Sequence, residues 1–132
     1  MRALITWPDA TDESGIATYE LQRRRENRAW YAVSLPGPSS TNTEDTVAPG
    51  YRYSYRVRAT DGAGNIGPWA TTSTGRILVV QESDAAISYA GRFRRKAVSG
   101  ASGGYVRRTG VAGRTATFSF SGRAVGLVTT AE

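Results

Sequence analysis

The sequence predicts an all-β chain of antiparallel β-sandwich type, and three observations carry that prediction. In residues 51–59, Tyr53, Tyr55, Val57 and Ala59 alternate with Ser54, Arg56 and Arg58. That period of two describes a strand with one face on a core and the other in water. Pro49-Gly50 opens the run and Asp61-Gly62 closes it, both dipeptides that favour turns. Segments around Trp7 and Tyr19 alternate in the same way upstream.

Each element follows from the local pattern. Arg2–Trp7 is predicted as a first strand, with Ile5 and Trp7 on one face, followed by a turn-rich loop over residues 8–15. Ile16–Arg24 places Tyr19 and Leu21 inward and Glu20 and Gln22 outward. Trp30–Leu35 is a shorter strand, stopped by Pro36-Gly37-Pro38. Ser40–Val47 is Thr-rich with little apolar surface to bury, which suits an edge strand. Tyr51–Ala59 and Trp69–Thr72 complete six short strands punctuated by turns, the sequence pattern of a sandwich.

Residues 70–76, Ala-Thr-Thr-Ser-Thr-Gly-Arg, read as a polar linker, and a boundary is expected between domains spanning 1–74 and 75–132. Beyond it, strand-like runs recur at Ile77–Gln81, Ile87–Tyr89, Phe93, Tyr105-Val106, Thr115–Ser121 and Val125–Val128, with Gly100–Gly104 and Gly110–Gly113 supplying turns.

Composition excludes much chemistry. The 132 residues include no Cys and no His. Disulfides, thiolate nucleophiles and imidazole general bases are therefore unavailable, as are the commonest transition-metal ligands. No apolar run approaches the roughly 20 residues that span a bilayer. No signal-like segment precedes the first strand, so the chain reads as an excised piece of a longer, exported protein. Residues 1–75 balance eight Arg against eight acids, whereas residues 76–132 carry the entire net charge of +6. That asymmetry supports the boundary. It also predicts weak, salt-sensitive attraction to polyanions, although a solvated basic face needs no partner.

The ordered string Trp7, Tyr19, Trp30, Val33, Pro49-Gly50, Tyr53, Asp61, Gly64, Asn65 and Trp69 resembles a bacterial fibronectin type III domain over about residues 2–74. The resemblance implies an immunoglobulin-like sandwich with Trp7 on its second strand. It also implies that the Tyr53 hydroxyl ties down the loop before it, as a tyrosine corner does. No room remains before Arg2 for the family's first strand, so an open sheet edge is expected. Residues 75–132 are similar to the opening half of a galactose-binding-like jelly roll, through Tyr89-Ala90-Gly91, Ser102-Gly103-Gly104 and Thr117–Gly122. Such a roll takes about eight strands, so an incomplete second sandwich is expected. These resemblances imply a non-catalytic spacer or accessory module of a secreted or surface bacterial protein. The parent would be a polysaccharide- or cell-wall-active hydrolase whose other domains are this module's partners. A carbohydrate- or anionic-polymer-binding module is the alternative.

Motifs for catalysis fail on inspection. Gly62–Gly67 matches G-x-G-x-x-G, but Pro68-Trp69 follows where a dinucleotide fold needs a helix. Gly100–Gly104 matches the G-x-S-x-G elbow in a chain without the histidine that elbow requires. Asp9, Asp12, Glu13 and Asp61 lack calcium-loop spacing, and turn-capping accounts for them. Glu20, Glu26 and Glu44 fall on outward faces or loops, with no cleft to pair them for glycoside hydrolysis. No catalytic, cofactor-binding or metal-ligating residue is therefore assigned.

Four residues remain as ligand-binding candidates: Tyr31, Trp69, Arg56 and Arg58. Arg56 and Arg58, with Arg23 on the neighbouring strand, are expected to form an outward basic stripe on which Trp69 stacks. The stripe is similar to the arginine–tryptophan ladder of cytokine-receptor fibronectin domains, without the full Trp-Ser-x-Trp-Ser pattern. Cation–π stacking for stability and a ligand surface both fit it. Arg92, Arg94, Arg95 and Lys96 around Phe93, and Arg107 and Arg108 beside Tyr105, interleave bases with aromatics. Nucleic-acid grooves do so, and so do ordinary strands; no sequence-specific nucleic-acid motif accompanies them.

Overall fold

A computed structural model describes residues 1–127. Its regular structure is almost entirely antiparallel β, in a sandwich-like arrangement. The chain divides into a first compact unit, Met1–Val79, and a second that begins at Val80.

In the first unit the strands are β1 (Arg2–Thr6), β2 (Ile16–Arg25), β3 (Tyr31–Val33), β4 (Asn42–Thr46), β5 (Arg52–Asp61), β6 (Ala70–Thr71) and β7 (Gly75–Arg76). Among the described residues β1 pairs only with β4, and β3-β2-β5-β6 form the larger sheet, with β7 also paired to β5. The register of β2 on β5 sets Leu21 opposite Val57, Arg23 opposite Tyr55 and Arg25 opposite Tyr53. Directly paired residues share a face, so these six side chains project together toward the smaller sheet. Leu21, Val47, Tyr53 and Tyr55 form the buried centre, and Ala3, Ile5, Trp7, Val33, Leu35, Val57 and Ile77 pack around it. Trp7 meets Tyr19 edge-on, ring centroids 5.9 Å apart.

Three expectations for this unit need correction. Arg23 does not lie on the outward stripe. It continues the inward phase of Tyr19 and Leu21, and its Nη1 donates to both carboxylate oxygens of Asp45 at 2.8 and 3.0 Å. The strand expected over Trp69–Thr72 is present as β6, but the rest of the 70–76 segment is not only a linker, because β7 also pairs with β5. Hydroxyls supply the joins that apolar patterning does not reveal: Thr72 Oγ1 accepts from Tyr55 N–H, and Thr74 Oγ1 lies 3.0 Å from Ser54 Oγ. Ile77–Gln81 forms no strand.

The second unit contains β8 (Ile87–Ala90), β9 (Arg94–Ala97), β10 (Tyr105–Arg108) and β11 (Thr115–Phe118). They make two separate antiparallel pairs, β8 with β11 and β9 with β10. Tyr89 packs against Phe93 at 4.9 Å, and Phe118 stacks on Phe120 at 6.0 Å. The run predicted over Thr115–Ser121 ends as a strand at Phe118. Val125–Leu127 forms none, and Val128 lies outside the described residues. Among the described residues, no helix is long and apolar enough to cross a membrane.

Candidate functional site

The outward face of the larger sheet carries a stack of cations and aromatic rings. On β2, Glu20 and Gln22 stand directly opposite Arg58 and Arg56 of β5. Arg56 donates through Nε and Nη2 to Gln22 Oε1 at 2.9 and 2.6 Å. Arg58 donates likewise to Glu20 Oε2 at 2.8 and 2.6 Å. Gln22 Nε2 donates to Glu20 Oε1 at 2.7 Å, which joins the two pairs. The planar guanidinium groups, their edges held by these acceptors, are left to stack through their faces.

They stack on two tryptophans. The Arg56 guanidinium carbon lies 4.5 Å from the Trp30 ring centroid and 4.2 Å from that of Trp69. Arg58 covers Trp69 at 4.4 Å, and Arg24 covers Trp30 at 4.8 Å. The order of contacts is Arg24, Trp30, Arg56, Trp69, Arg58. Arg56, Arg58 and Trp69 are thus brought together as the sequence suggests. Arg24 holds the place expected for Arg23, because β2 turns Arg24 outward beside Ser54. Trp30 is the rung that sequence reading missed. It lies just before β3, in the segment Trp30–Leu35 that reads in sequence as an ordinary short strand.

Tyr31 is not part of this stack. It pairs with Arg23 and so belongs to the opposite, core-side face of the sheet, where it remains 57% exposed.

The loops that resemble catalytic or metal motifs are held by internal bonds. Asp61 Oδ1 accepts from Asn65 N–H, and Asp61 Oδ2 accepts from Asn65 Nδ2, both at 2.8 Å. These bonds to the charged form hold the Asp61 carboxyl below its ordinary range. Asp12 Oδ1 likewise accepts from Ser14 N–H and Oγ. Ser102, in the G-x-S-x-G match, sits in a short 3₁₀ turn, and its hydroxyl accepts from Gln81 Nε2 at 3.0 Å. Among the described residues no group of three or more acids is placed to hold a metal ion.

The second unit presents a basic ribbon. Its register sets Arg94 opposite Arg108 and Arg95 opposite Arg107. Arg95 covers Tyr105 at 3.6 Å and donates to Glu82 Oε1 at 2.8 Å, while Arg107 covers Tyr89 at 4.7 Å. Like charges directly opposed across strands are unfavourable, and the aromatic and acidic neighbours offset part of that repulsion.

No protein-family model matches this chain, and no curated protein matches its sequence.

Proposed function

We propose that this chain is a non-catalytic spacer or accessory module of a secreted or surface protein. Residues 2–74 serve as its fibronectin type III-like domain. The observation that carries the reading is the engagement of Trp69, Arg56 and Arg58 with one another, with Trp30 and with the Glu20–Gln22 pair. Aromatic faces covered by guanidinium groups are not an open platform for a sugar ring, and a cross-linked sheet face suits a module that holds distance. The family reading is supported by the Tyr53 hydroxyl, which accepts from Ala48 N–H at 3.0 Å and ties the 48–52 loop to the strand that follows. The subtraction of His and Cys and the internally bonded loops favour a role without turnover.

The test is to assay the whole chain for turnover and retention on insoluble polysaccharides and peptidoglycan. No turnover is expected, and no retention that depends on Trp69. Turnover removed by one carboxylate substitution would overturn the reading, and retention lost with Trp69→Ala would make the stack a binding surface.

A second reading, anionic-polymer binding by the second unit, is favoured by the opposed arginines of β9 and β10. A polyanion would relieve their repulsion, and its binding would weaken steeply with salt. Binding that ignores salt, or that distinguishes DNA sequences, would exclude it.

A further inference from the structure

The inward face of β2 changes character along its length. Tyr19 and Leu21 are followed in the same phase by Arg23 and Arg25, which stand opposite Tyr55 and Tyr53. The smaller sheet ends there, since β4 stops at Thr46 and β1 starts at Arg2. The end of the sandwich therefore opens into a cavity of about 670 Å³, whose walls include Arg23, Arg25, Arg28, Tyr31, Val47 and Tyr53. Among the described residues its lining contains three arginines and no carboxylate.

Two of these arginines have no acidic partner among the described residues. Among the described residues the only acid bonded to the three is Asp45, and it is bonded by Arg23. Arg25 lies 4.5 Å over the Tyr51 ring, which holds its plane and leaves its N–H edges for another acceptor. Arg28 is exposed on the turn between β2 and β3, where its backbone N–H donates to the Arg25 carbonyl. That bond keeps the two arginines on one short segment. Even Arg23 makes all its contacts with Asp45 and Thr46 through Nη1. Tyr31 provides an exposed ring in the same mouth.

We propose that this mouth is a binding site for an oxyanion carried on a sugar ring. Arg25 and Arg28 hold the anionic group, and Tyr31 packs against the ring. The anion is a carboxylate or a phosphate, because planar guanidinium donors suit both. A partly enclosed mouth strengthens the pairing over what open water allows. The proposal goes beyond the spacer reading and does not rest on it, since the cation–aromatic stack lies on the other face of the same sheet.

The test is calorimetric titration of the whole chain with trigalacturonate, neutral galactotriose and inorganic phosphate, alongside Arg25→Gln/Arg28→Gln, Tyr31→Ala and Trp69→Ala variants. Saturable binding of an anion is expected, lowered at least tenfold in the double arginine variant and unchanged in Trp69→Ala. Tighter binding of trigalacturonate, weakened by Tyr31→Ala, identifies the carboxylated sugar. Tighter binding of inorganic phosphate identifies the anionic group as a phosphate. Arg23 is left unaltered, because its loss would strand Asp45. Circular dichroism of each variant verifies folding. Equal binding of the neutral sugar, no saturable binding of either anion, or binding unchanged in a folded double variant would overturn the proposal. Failure here leaves the spacer reading standing, and retention on a polymer through Trp69 would defeat the spacer reading alone.

Discussion

The hydroxyl of Tyr55 donates a 2.7 Å hydrogen bond to Asp45 Oδ2, joining the larger sheet to the smaller one inside the core. The same carboxylate receives Arg23 from the larger sheet. One acid on a Thr-rich strand thus organises two side chains of the facing sheet.

Replacing Tyr55 by Phe removes the hydroxyl while Asp45 keeps its arginine. A loss of about 1.5–3 kcal/mol is expected, the usual range for a hydrogen bond to a charged group. Urea unfolding of the two proteins measures it directly.

Burial first, and then the bond to Asp45, push the Tyr55 phenol well above its ordinary value of 10.0. The folded state therefore keeps its proton at pH values where the unfolded chain releases it. Stability from this group is complete below pH 10.0 and falls as pH rises further. Unfolding midpoints measured on either side of pH 10.0 should show that decline, and Tyr55→Phe should flatten it.

Asp45→Ala is expected to cost more than Tyr55→Phe. It leaves the Arg23 charge and the Tyr55 hydroxyl without their shared acceptor. Arg23 is partly open to water, which moderates the penalty to about 2–4 kcal/mol. A double-mutant cycle with Arg23→Met separates the ion pair from the phenol bond.

Removal of Trp69 takes away the ring between Arg56 and Arg58. Trp69→Ala should destabilise the first unit by about 1–3 kcal/mol, combining two stacking contacts with lost apolar burial. Trp69→Phe should retain more than half of the effect, as read from thermal midpoints.

Gly62 and Gly75 form a contrasting pair. A Cβ on Gly62 would stand 2.5 Å from the Ser14 carbonyl oxygen, whereas one on Gly75 would meet nothing within 4 Å. Gly62 N–H also donates to the Gly15 carbonyl at 2.9 Å, pinning the two loops together. Gly62→Ala should cost about 1–3 kcal/mol, while Gly75→Ala should shift the urea midpoint little.

Much of the architecture is legible along the chain. The alternation of Tyr53, Tyr55 and Val57 needs no distant information, since the period of two follows from strand geometry alone. Asp61 and Asn65 are readable for the same reason: a short side chain bonds backbone four residues away, within one turn. Arg23 was misplaced because its charge argues for water, and the acid that receives it lies 22 residues further on in another sheet. Trp30 was missed as a rung because only the β2–β5 register reveals that Arg24 and Arg56 flank it. Residues 73–76 carry no apolar pattern, and their place beside β5 comes from the backbone pairing of β7 and the Ser54–Thr74 hydroxyl contact, which hydrophobicity does not encode.

Local periodicity and turn chemistry were enough to establish an all-β chain with an inward aromatic strand at 53–57. The partners of its charges were decided by tertiary structure. An arginine's worth depends on whether a carboxylate, a ring or open solvent meets it, and chain-distant strands determine which. Arg56 and Arg58 are stacked and held, Arg23 is paired across the core, and Arg25 and Arg28 face an open mouth. The difference among these five arginines lies in strand register and sheet overlap, which long-range packing sets and no local sequence window contains.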